Sequence, residues 1–192
     1  MSSTNDTAAS DDIDRAVIAL RRGGVIAYPT EAVFGFGCDP HNEAALQRLF
    51  AIKRRDASQG VLLIAADLDQ VLPYIDPACP TEALDRARAT WPGPHTWVFP
   101  RSNHVPAWIA GNHAGIALRV TAHPVAAALC RAFGAAIVST SANRHGSPPL
   151  RDAQAIREEF GVEVDAVVAG AVDVEAQPSS IRTATTEVWI RR

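Results

Sequence analysis

Short polar side chains follow a run of small apolar residues near position 140. Residues 135–138 are small or β-branched, which favours a buried strand. Ser139, Thr140, Ser141 and Asn143 come next, where the strand is expected to run into a loop. Ligands of open α/β sheets bind at this end of a strand, and short hydroxyl and amide groups let a phosphate or carboxylate approach the backbone. Because the same residue types are common in turns and helix N-caps, this stretch alone leaves both interpretations open.

Lys53 is the one lysine of the chain, and the other 17 of its 18 basic residues are arginines. It begins the cluster Lys53-Arg54-Arg55 at the end of a predicted helix that Asn42 can cap. These cations can simply match the negative end of the helix dipole, or Lys53 can bring a compact charge to a phosphate. Lys53 and Arg55 do not share a face of a regular helix, so the chain must leave helical geometry if both serve one ligand. We expect Lys53 to be exposed and to contribute less than about 1 kcal/mol to stability.

Arg119 is the single charge within the apolar run 116–120, which is predicted to be a strand. A buried arginine needs an anionic partner, which could be a protein carboxylate or a ligand. No histidine pair has metal-ligand spacing, so we expect no dedicated metal site. The sequence also contains neither a P-loop nor a Gly-x-Ser-x-Gly nucleophile elbow.

The 192 residues fit one domain, with a net charge of −3 and a pI of about 6.0. This charge disfavours a surface coated in basic groups but leaves room for a local basic patch. Three widely spaced cysteines without a Cys-x-x-Cys pair indicate neither a disulfide framework nor a zinc site, which favours a reducing compartment. No signal peptide and no apolar run of roughly 18 residues is present, so we expect a cytoplasmic protein without a membrane span.

Predicted strands and helices alternate along the chain, which indicates an α/β fold in which one domain contains a twisted mixed β-sheet flanked by helices. We predict a disordered tail over residues 1–10, with Ser10 capping the first helix, and a single folded domain over residues 11–192. Predicted strands cover residues 25–28, 61–65, 96–99, 116–120, 135–138, 164–168, 180–184 and 188–190. Predicted helices cover residues 11–22, 43–55, 67–75, 81–89, 123–133 and 152–160, and residues 29–40 are predicted to be a loop.

Five stretches, in one order, resemble the YrdC/TsaC family, the threonylcarbamoyl-AMP synthases of tRNA modification. They begin Tyr28-Pro-Thr-Glu-Ala-Val-Phe-Gly, Lys53-Arg-Arg, Trp91-Pro-Gly-Pro-His-Thr, Ala117-Leu-Arg-Val-Thr and Ser139-Thr-Ser-Ala-Asn. The length is similar to that of the short bacterial form, and the family signature Lys-x-Arg with Ser-x-Asn is complete. Two positions depart from the family pattern: Asp56 stands where proline is usual, and Ser179-Ser180 stands where Ser-Thr is frequent. The first leaves the path of loop 56–60 open, and the second leaves the role of Ser180 open.

The resemblance implies that L-threonine, bicarbonate and ATP are converted to threonylcarbamoyl-AMP, pyrophosphate and water. By resemblance, the catalytic and ATP-binding residues are Lys53, Arg55, Ser141 and Asn143. The residues that hold threonine would be Thr30, Arg119, Ser139 and Ser180. ATP is then a substrate, and Mg²⁺ would arrive with it because no protein cage for the ion is visible.

The family's product is used by a partner transferase complex (TsaB, TsaD and TsaE) to modify adenosine-37 of tRNAs that read ANN codons. Direct binding of tRNA is therefore an additional expectation. Two alternatives stay open at this point. One is a carbamoyl-adenylate module of the kind found in hydrogenase maturation proteins, and the other is a non-catalytic protein that binds double-stranded RNA or tRNA.

Overall fold

The computed structural model of the chain describes residues 3–191, which contain six α-helices and one sheet of nine strands. The helices are α1 (Ser3–Arg21), α2 (Glu43–Lys53), α3 (Thr81–Arg88), α4 (Ala107–Ala110), α5 (Pro124–Phe133) and α6 (Ala153–Phe160). The first five strands are β1 (Ile26–Pro29), β2 (Phe34–Gly37), β3 (Leu62–Ala65), β4 (His95–Pro100) and β5 (Gly115–Val120). The last four are β6 (Ile137–Ser141), β7 (Ala166–Val167), β8 (Ser180–Thr183) and β9 (Trp189–Arg191). Among these residues, no helix is both long and apolar enough to cross a membrane.

The strand order is β7-β1-β2-β6-β3-β5-β4-β8-β9, and parallel and antiparallel neighbours are mixed. β6 lies near the centre between two antiparallel partners, with Gly35 opposite Ser141 and Leu62 opposite Ser139. β3 and β5 run parallel and place Ile64 beside Arg119. The predicted α/β class with a mixed, helix-flanked sheet is therefore confirmed.

The two faces of the sheet are covered to different extents. One face packs on α2, α3, α4 and α6 through the larger core cluster, which contains side chains such as Phe36, Leu63, Trp97 and Phe99. On the opposite face α1 and α5 cover β1 and β3 through a smaller cluster around Tyr28. Among the described residues, none of the helices in the contact pattern packs on the remainder of this second face, and a cavity lies there.

Residues 29–40 were predicted to be a loop, and that prediction is wrong for β2. Glycines at alternate positions resemble loop chemistry, yet they are required here because neighbouring chain comes very close. A Cβ on Gly37 would lie 2.8 Å from the carbonyl oxygen of Val138 and 2.8 Å from the Tyr28 ring. Close pairing with β1 and β6 therefore outweighs the low strand propensity of glycine.

Three other local predictions differ from the structure. α1 begins at Ser3, so residues 3–10 are helical and the prediction of a disordered tail is wrong for them. The physical reason is that a helix can extend past a possible cap such as Ser10 when no proline or glycine interrupts it. Residues 1 and 2 lie outside the described residues. Residues 67–75 form turns and a short 3₁₀ helix (Leu72–Tyr74) with Pro73 inside it, and the four-residue helix α4 was not predicted.

Candidate active site

A cavity of about 590 Å³ lies over the uncovered half of the sheet. Its floor comes mostly from strand residues with small side chains, Gly35 of β2, Ala117 of β5, and Ser139 and Ser141 of β6, together with the larger Leu62 of β3. Side chains alternate between the two faces of a strand, so these positions share one face. Small groups leave room above the backbone, as the short side chains of residues 139–143 predicted. β6 itself continues to Ser141, so Ser139, Thr140 and Ser141 belong to the strand and not to a loop.

Three of the four residues assigned to threonine by resemblance line this cavity: Thr30, Arg119 and Ser139. All three are buried. The Thr30 hydroxyl follows β1 and donates to the carbonyl oxygen of Val33 at 2.7 Å, so its own lone pairs remain available to a donor. The structure thus brings together residues that are separated by up to 109 positions in the sequence.

Ser180, which the resemblance assigns to threonine, is not among the residues that line the cavity. Its hydroxyl lies 2.9 Å from Nδ1 of His95, on the opposite face of the sheet from the cavity-lining Ile181. The neighbouring Ser179 does line the cavity, and its hydroxyl is within 3.3 Å of the Thr96 hydroxyl. The physical reason is the alternation of side chains in β8, where a shift of one residue exchanges the two faces.

The buried Arg119 has a protein carboxylate beside it. Its Nη2 lies 3.6 Å from Oε2 of Glu31, and both residues line the cavity. Glu31 also accepts hydrogen bonds at Oε1 from the Thr121 hydroxyl (2.7 Å) and from the amide of Ala122 (3.1 Å). Of the two partners that the sequence left open for Arg119, the structure contains the carboxylate and also places both residues in the cavity lining.

Lys53 is buried, with only 3% of its surface exposed, so the prediction of an exposed cation is wrong. Its ammonium group donates to the carbonyl oxygens of Ser141 and Asn143 and to Oδ1 of Asn143, the last two at 3.0 Å. The Ser141 hydroxyl also donates to Oδ1 of Asn143 at 2.7 Å. The signature residues therefore meet, but Lys53 and Asn143 lie behind the cavity wall, while Ser141 lies in it.

Arg55 reaches the cavity because the chain leaves helical geometry directly after Lys53. Arg54 caps α2 in the left-handed conformation, with φ 52° and ψ 45°, and its side chain is exposed. Arg55 then turns inward, where its guanidinium donates to the hydroxyl of Thr140 (3.2 Å) and to the carbonyl oxygen of Gly60 (2.8 Å). The chain therefore leaves helical geometry at Arg54, which is the condition stated above for Lys53 and Arg55 to serve one ligand.

Loop 56–60 has a defined path without a proline at position 56. Asp56 caps a short 3₁₀ helix (Ala57–Gln59) by accepting from the amide of Ser58 at 2.7 Å. Gly60, at φ +61°, packs so closely that a Cβ there would lie 2.7 Å from the carbonyl oxygen of Ala110. Capping by Asp56 and close packing at Gly60 together hold the loop that forms one wall of the cavity.

The cavity has an excess of positive charge. Arg55, Arg119 and Arg191 line it, against the single carboxylate of Glu31. Burial lowers the pKa of Arg55, and burial together with the neighbouring Arg119 lowers the pKa of Arg191. Burial, and to a smaller extent the charge of Arg55, lowers the pKa of Lys53 to about 8. Because these neighbouring cations destabilise one another's charged forms, the cavity favours binding of an anionic ligand.

Sequence reasoning missed Glu31, Ser179 and Arg191 as cavity residues. The Glu31 position lay inside one of the quoted stretches, so a search for a counter-ion to Arg119 could have singled it out. Arg191 holds Ser179 through hydrogen bonds to its carbonyl oxygen, at 3.0 Å and 2.6 Å, and to its hydroxyl at 3.1 Å. No local pattern indicates that contact, because it depends on the pairing of β8 with β9.

In the part of the chain that the structure describes, no three His, Cys, Asp or Glu residues are grouped so that they could hold a metal ion. The donors that face the cavity are mostly guanidinium, hydroxyl and backbone groups, which suit anions and polar ligands and not a resident cation.

Residues 18–192 match the profile of the Sua5/YciO/YrdC family, whose description is "Telomere recombination". The chain belongs to this family. A curated relative from Xanthomonas campestris, named threonylcarbamoyl-AMP synthase, is 51% identical over 181 residues, which cover 94% of this chain and 97% of that protein. The predicted resemblance to the family is therefore confirmed.

Two solved structures of the family share this fold. P. abyssi Sua5, solved with L-threonine, has a TM-score of 0.83 and 31% identity; the match covers 89% of this chain and 50% of that one, so this chain spans half of its length. E. coli YciO has a TM-score of 0.80 and 27% identity over 94% of this chain and 88% of its own. The family membership and the arrangement of the cavity agree, and nothing among the comparisons favours a non-catalytic RNA-binding protein.

Proposed function

We propose that this protein is an L-threonylcarbamoyladenylate synthase, a nucleotidyltransferase that converts L-threonine, bicarbonate and ATP to threonylcarbamoyl-AMP, pyrophosphate and water. The observation that carries the proposal is the composition of the cavity. Its lining combines the signature residues Arg55 and Ser141 with three residues assigned to the threonine substrate, Thr30, Arg119 and Ser139. Relatives that match nearly the whole chain have the same name, which supports the assignment.

The cavity lining combines two sets of groups with different chemistry. Arg55 and Ser141 lie where β6 meets loop 56–60, and they offer a fixed guanidinium and a hydroxyl to the phosphates of ATP. Arg119 and Thr30 lie at the ends of β5 and β1 and offer a cation and a hydroxyl to an amino acid. Adenylation transfers the AMP group of ATP to the carbamate of the amino acid, so it needs both kinds of group in one cavity.

Catalysis then depends on positioning and on fixed positive charge. Attack of a carbamate oxygen on the α-phosphate of ATP forms a new P–O bond and breaks the bond to pyrophosphate, which leaves with its negative charge. Arg55 can stabilise that charge directly, and Lys53 contributes a buried charge and orders residues 141–143 by its three hydrogen bonds. Asn143 acts by holding the Ser141 hydroxyl.

The wider setting is part of the same proposal. Mg²⁺ would enter with ATP and neutralise its phosphates. The adenylate would pass to a transferase complex (TsaB, TsaD and TsaE) that modifies tRNA in the cytoplasm. Direct contact with tRNA would use the basic groups near the cavity mouth.

The test is pyrophosphate release by the purified protein, with each of threonine, bicarbonate and ATP omitted in turn. We expect release to need all three. Arg55→Ala should lower kcat/KM by at least about 100-fold, as removal of one fixed cation from a phosphoryl site does. The matched control is Arg54→Ala, because Arg54 is adjacent but exposed, and we expect it to retain activity.

Two results would contradict the proposal. Release that does not depend on threonine, or that proceeds with carbamoyl phosphate in place of bicarbonate and threonine, would favour the hydrogenase-maturation type of chemistry. No release under any condition, together with binding of tRNA, would favour the non-catalytic alternative.

A further inference from the structure

Two buried charged atoms at the cavity have no hydrogen-bond partner within the described protein: Oε2 of Glu31 and Nε of Arg119. Their side chains are only 14% and 7% exposed, and the two residues lie side by side, with Nη2 of Arg119 3.6 Å from Oε2. Leaving a buried donor or acceptor unsatisfied is costly, and more so when the group is charged. These two atoms therefore point to a ligand that brings an acceptor and a donor together.

The Glu31 carboxylate is held in one orientation. Thr121 and Ala122 donate to Oε1, so only Oε2 is left for another donor. The carbonyl oxygen of Glu31 also accepts from the amide of Asp173 at 2.9 Å, which fixes the backbone. A group that enters the cavity therefore meets a carboxylate oxygen whose position is already set.

The carboxylate is ionised at neutral pH. Burial acts to raise the pKa of Glu31, but the charge of Arg119 and the hydrogen bonds from Thr121 and Ala122 outweigh it, and the pKa lies below its ordinary value. Glu31 therefore offers a negative charge and no proton.

We propose that Glu31 binds the α-ammonium group of the amino-acid substrate at Oε2, while Arg119 binds its carboxylate. An α-amino acid carries both charges on neighbouring atoms, which matches a carboxylate and a guanidinium that lie side by side. This inference rests on the proposed function and deepens it, because it adds the residue that distinguishes an amino acid from other carboxylic acids. The other role open to Glu31 is that of a counter-ion that only orients Arg119.

The test compares two ligands in two proteins. The ligands are L-threonine and the 2,3-dihydroxybutanoate of the same configuration, in which a hydroxyl replaces the ammonium group. The dissociation constants of both are measured by calorimetry for the unsubstituted protein and for Glu31→Gln. We expect the substitution to weaken threonine binding about 10- to 100-fold, as the loss of a charged hydrogen bond does, and to change binding of the hydroxy acid by less than about 3-fold.

Three further measurements complete the design. Glu187→Gln is the matched control, because Glu187 also pairs with an arginine (Arg86, 2.9 Å) but lies outside the cavity, and we expect it to leave both constants unchanged. Thermal unfolding and ATP binding report whether Glu31→Gln folds. If it does not, Glu31→Asp serves instead, because it keeps the charge but withdraws it, and threonine binding should weaken more than binding of the hydroxy acid.

The outcomes separate the two levels of the proposal. Equal weakening of both ligands, or unchanged binding of threonine, would show that Glu31 does not contact the ammonium group and would overturn the inference alone. Failure of the unsubstituted protein to bind threonine would refute the proposed function and, with it, the inference.

Discussion

Removing the buried charge of Lys53 should change how stability depends on pH. The pKa of Lys53 is lowered from 10.5 to about 8, because its ammonium group lies out of water and near Arg55. One pKa unit corresponds to about 1.4 kcal/mol, so the charged form lowers the free energy of unfolding by roughly 3 kcal/mol relative to the neutral form. Lys53→Met removes the charge and keeps most of the aliphatic chain, so it isolates this effect.

The sign follows from proton binding. Between pH 8 and pH 10.5 the unfolded chain keeps the proton on Lys53 while the folded chain releases it, so stability rises with pH in this range. Relative to Lys53→Met, the unsubstituted protein should gain roughly 1 kcal/mol between neutral pH and pH 9. By pH 10 the gain should reach roughly 2 to 3 kcal/mol. The other titrating groups largely cancel in the difference between the two proteins.

The assay is urea unfolding of both proteins at pH 7, 8, 9 and 10, with the difference in free energy plotted against pH. A flat difference would refute the reasoning, since it would mean that the three oxygen acceptors of Lys53 fully replace water.

Lys53→Arg provides a second test: a guanidinium is larger and planar, so it should not fit the same three acceptors, and turnover should fall. Near-normal turnover in Lys53→Arg would contradict the requirement for a compact cation.

Three further predictions concern the cavity and the core. Arg119→Lys should raise KM for threonine at least about 10-fold while KM for ATP changes little. The reason is that lysine lacks the forked geometry with which arginine binds a carboxylate. Equal changes in both constants would mean that Arg119 is structural or binds phosphate. If Thr30 helps to bind the substrate hydroxyl, valine should not react, because it lacks that group. Serine keeps the hydroxyl and lacks only a methyl group, so its kcat/KM should be about 10- to 200-fold below that for threonine; valine turning over as well as serine would show that the hydroxyl is not recognised. A thiol reagent at pH 8 should label Cys79 in the folded protein while Cys38 and Cys130 stay unlabelled. The reason is that burial raises the pKa of Cys38 and Cys130 to about 12. Mass spectrometry that finds all three cysteines labelled at equal rates would contradict this prediction.

The sequence alone determined the features that depend on local chemistry. The alternation of apolar runs and capped segments predicted an α/β domain with a mixed sheet, and the structure confirms it. Asn42 caps α2 by accepting from the amide of Ala45, as its position before the helix predicted. The different faces of Lys53 and Arg55 correctly required a break in helical geometry, which Arg54 makes. The ordered motifs identified the family, because five short stretches in one order are a specific pattern.

Only the tertiary structure decided which neighbours share the cavity and which side chains are buried. Ser179 faces the cavity and Ser180 does not, because the register of β8 on β4 selects one face of the strand for each. Lys53 ends a helix, where exposure is usual, yet residues 141–143 fold over it and bury its charge. Glu31 and Arg119 become partners although 88 positions separate them. Such facts depend on strand register and on packing between distant segments, and local propensity contains information about neither.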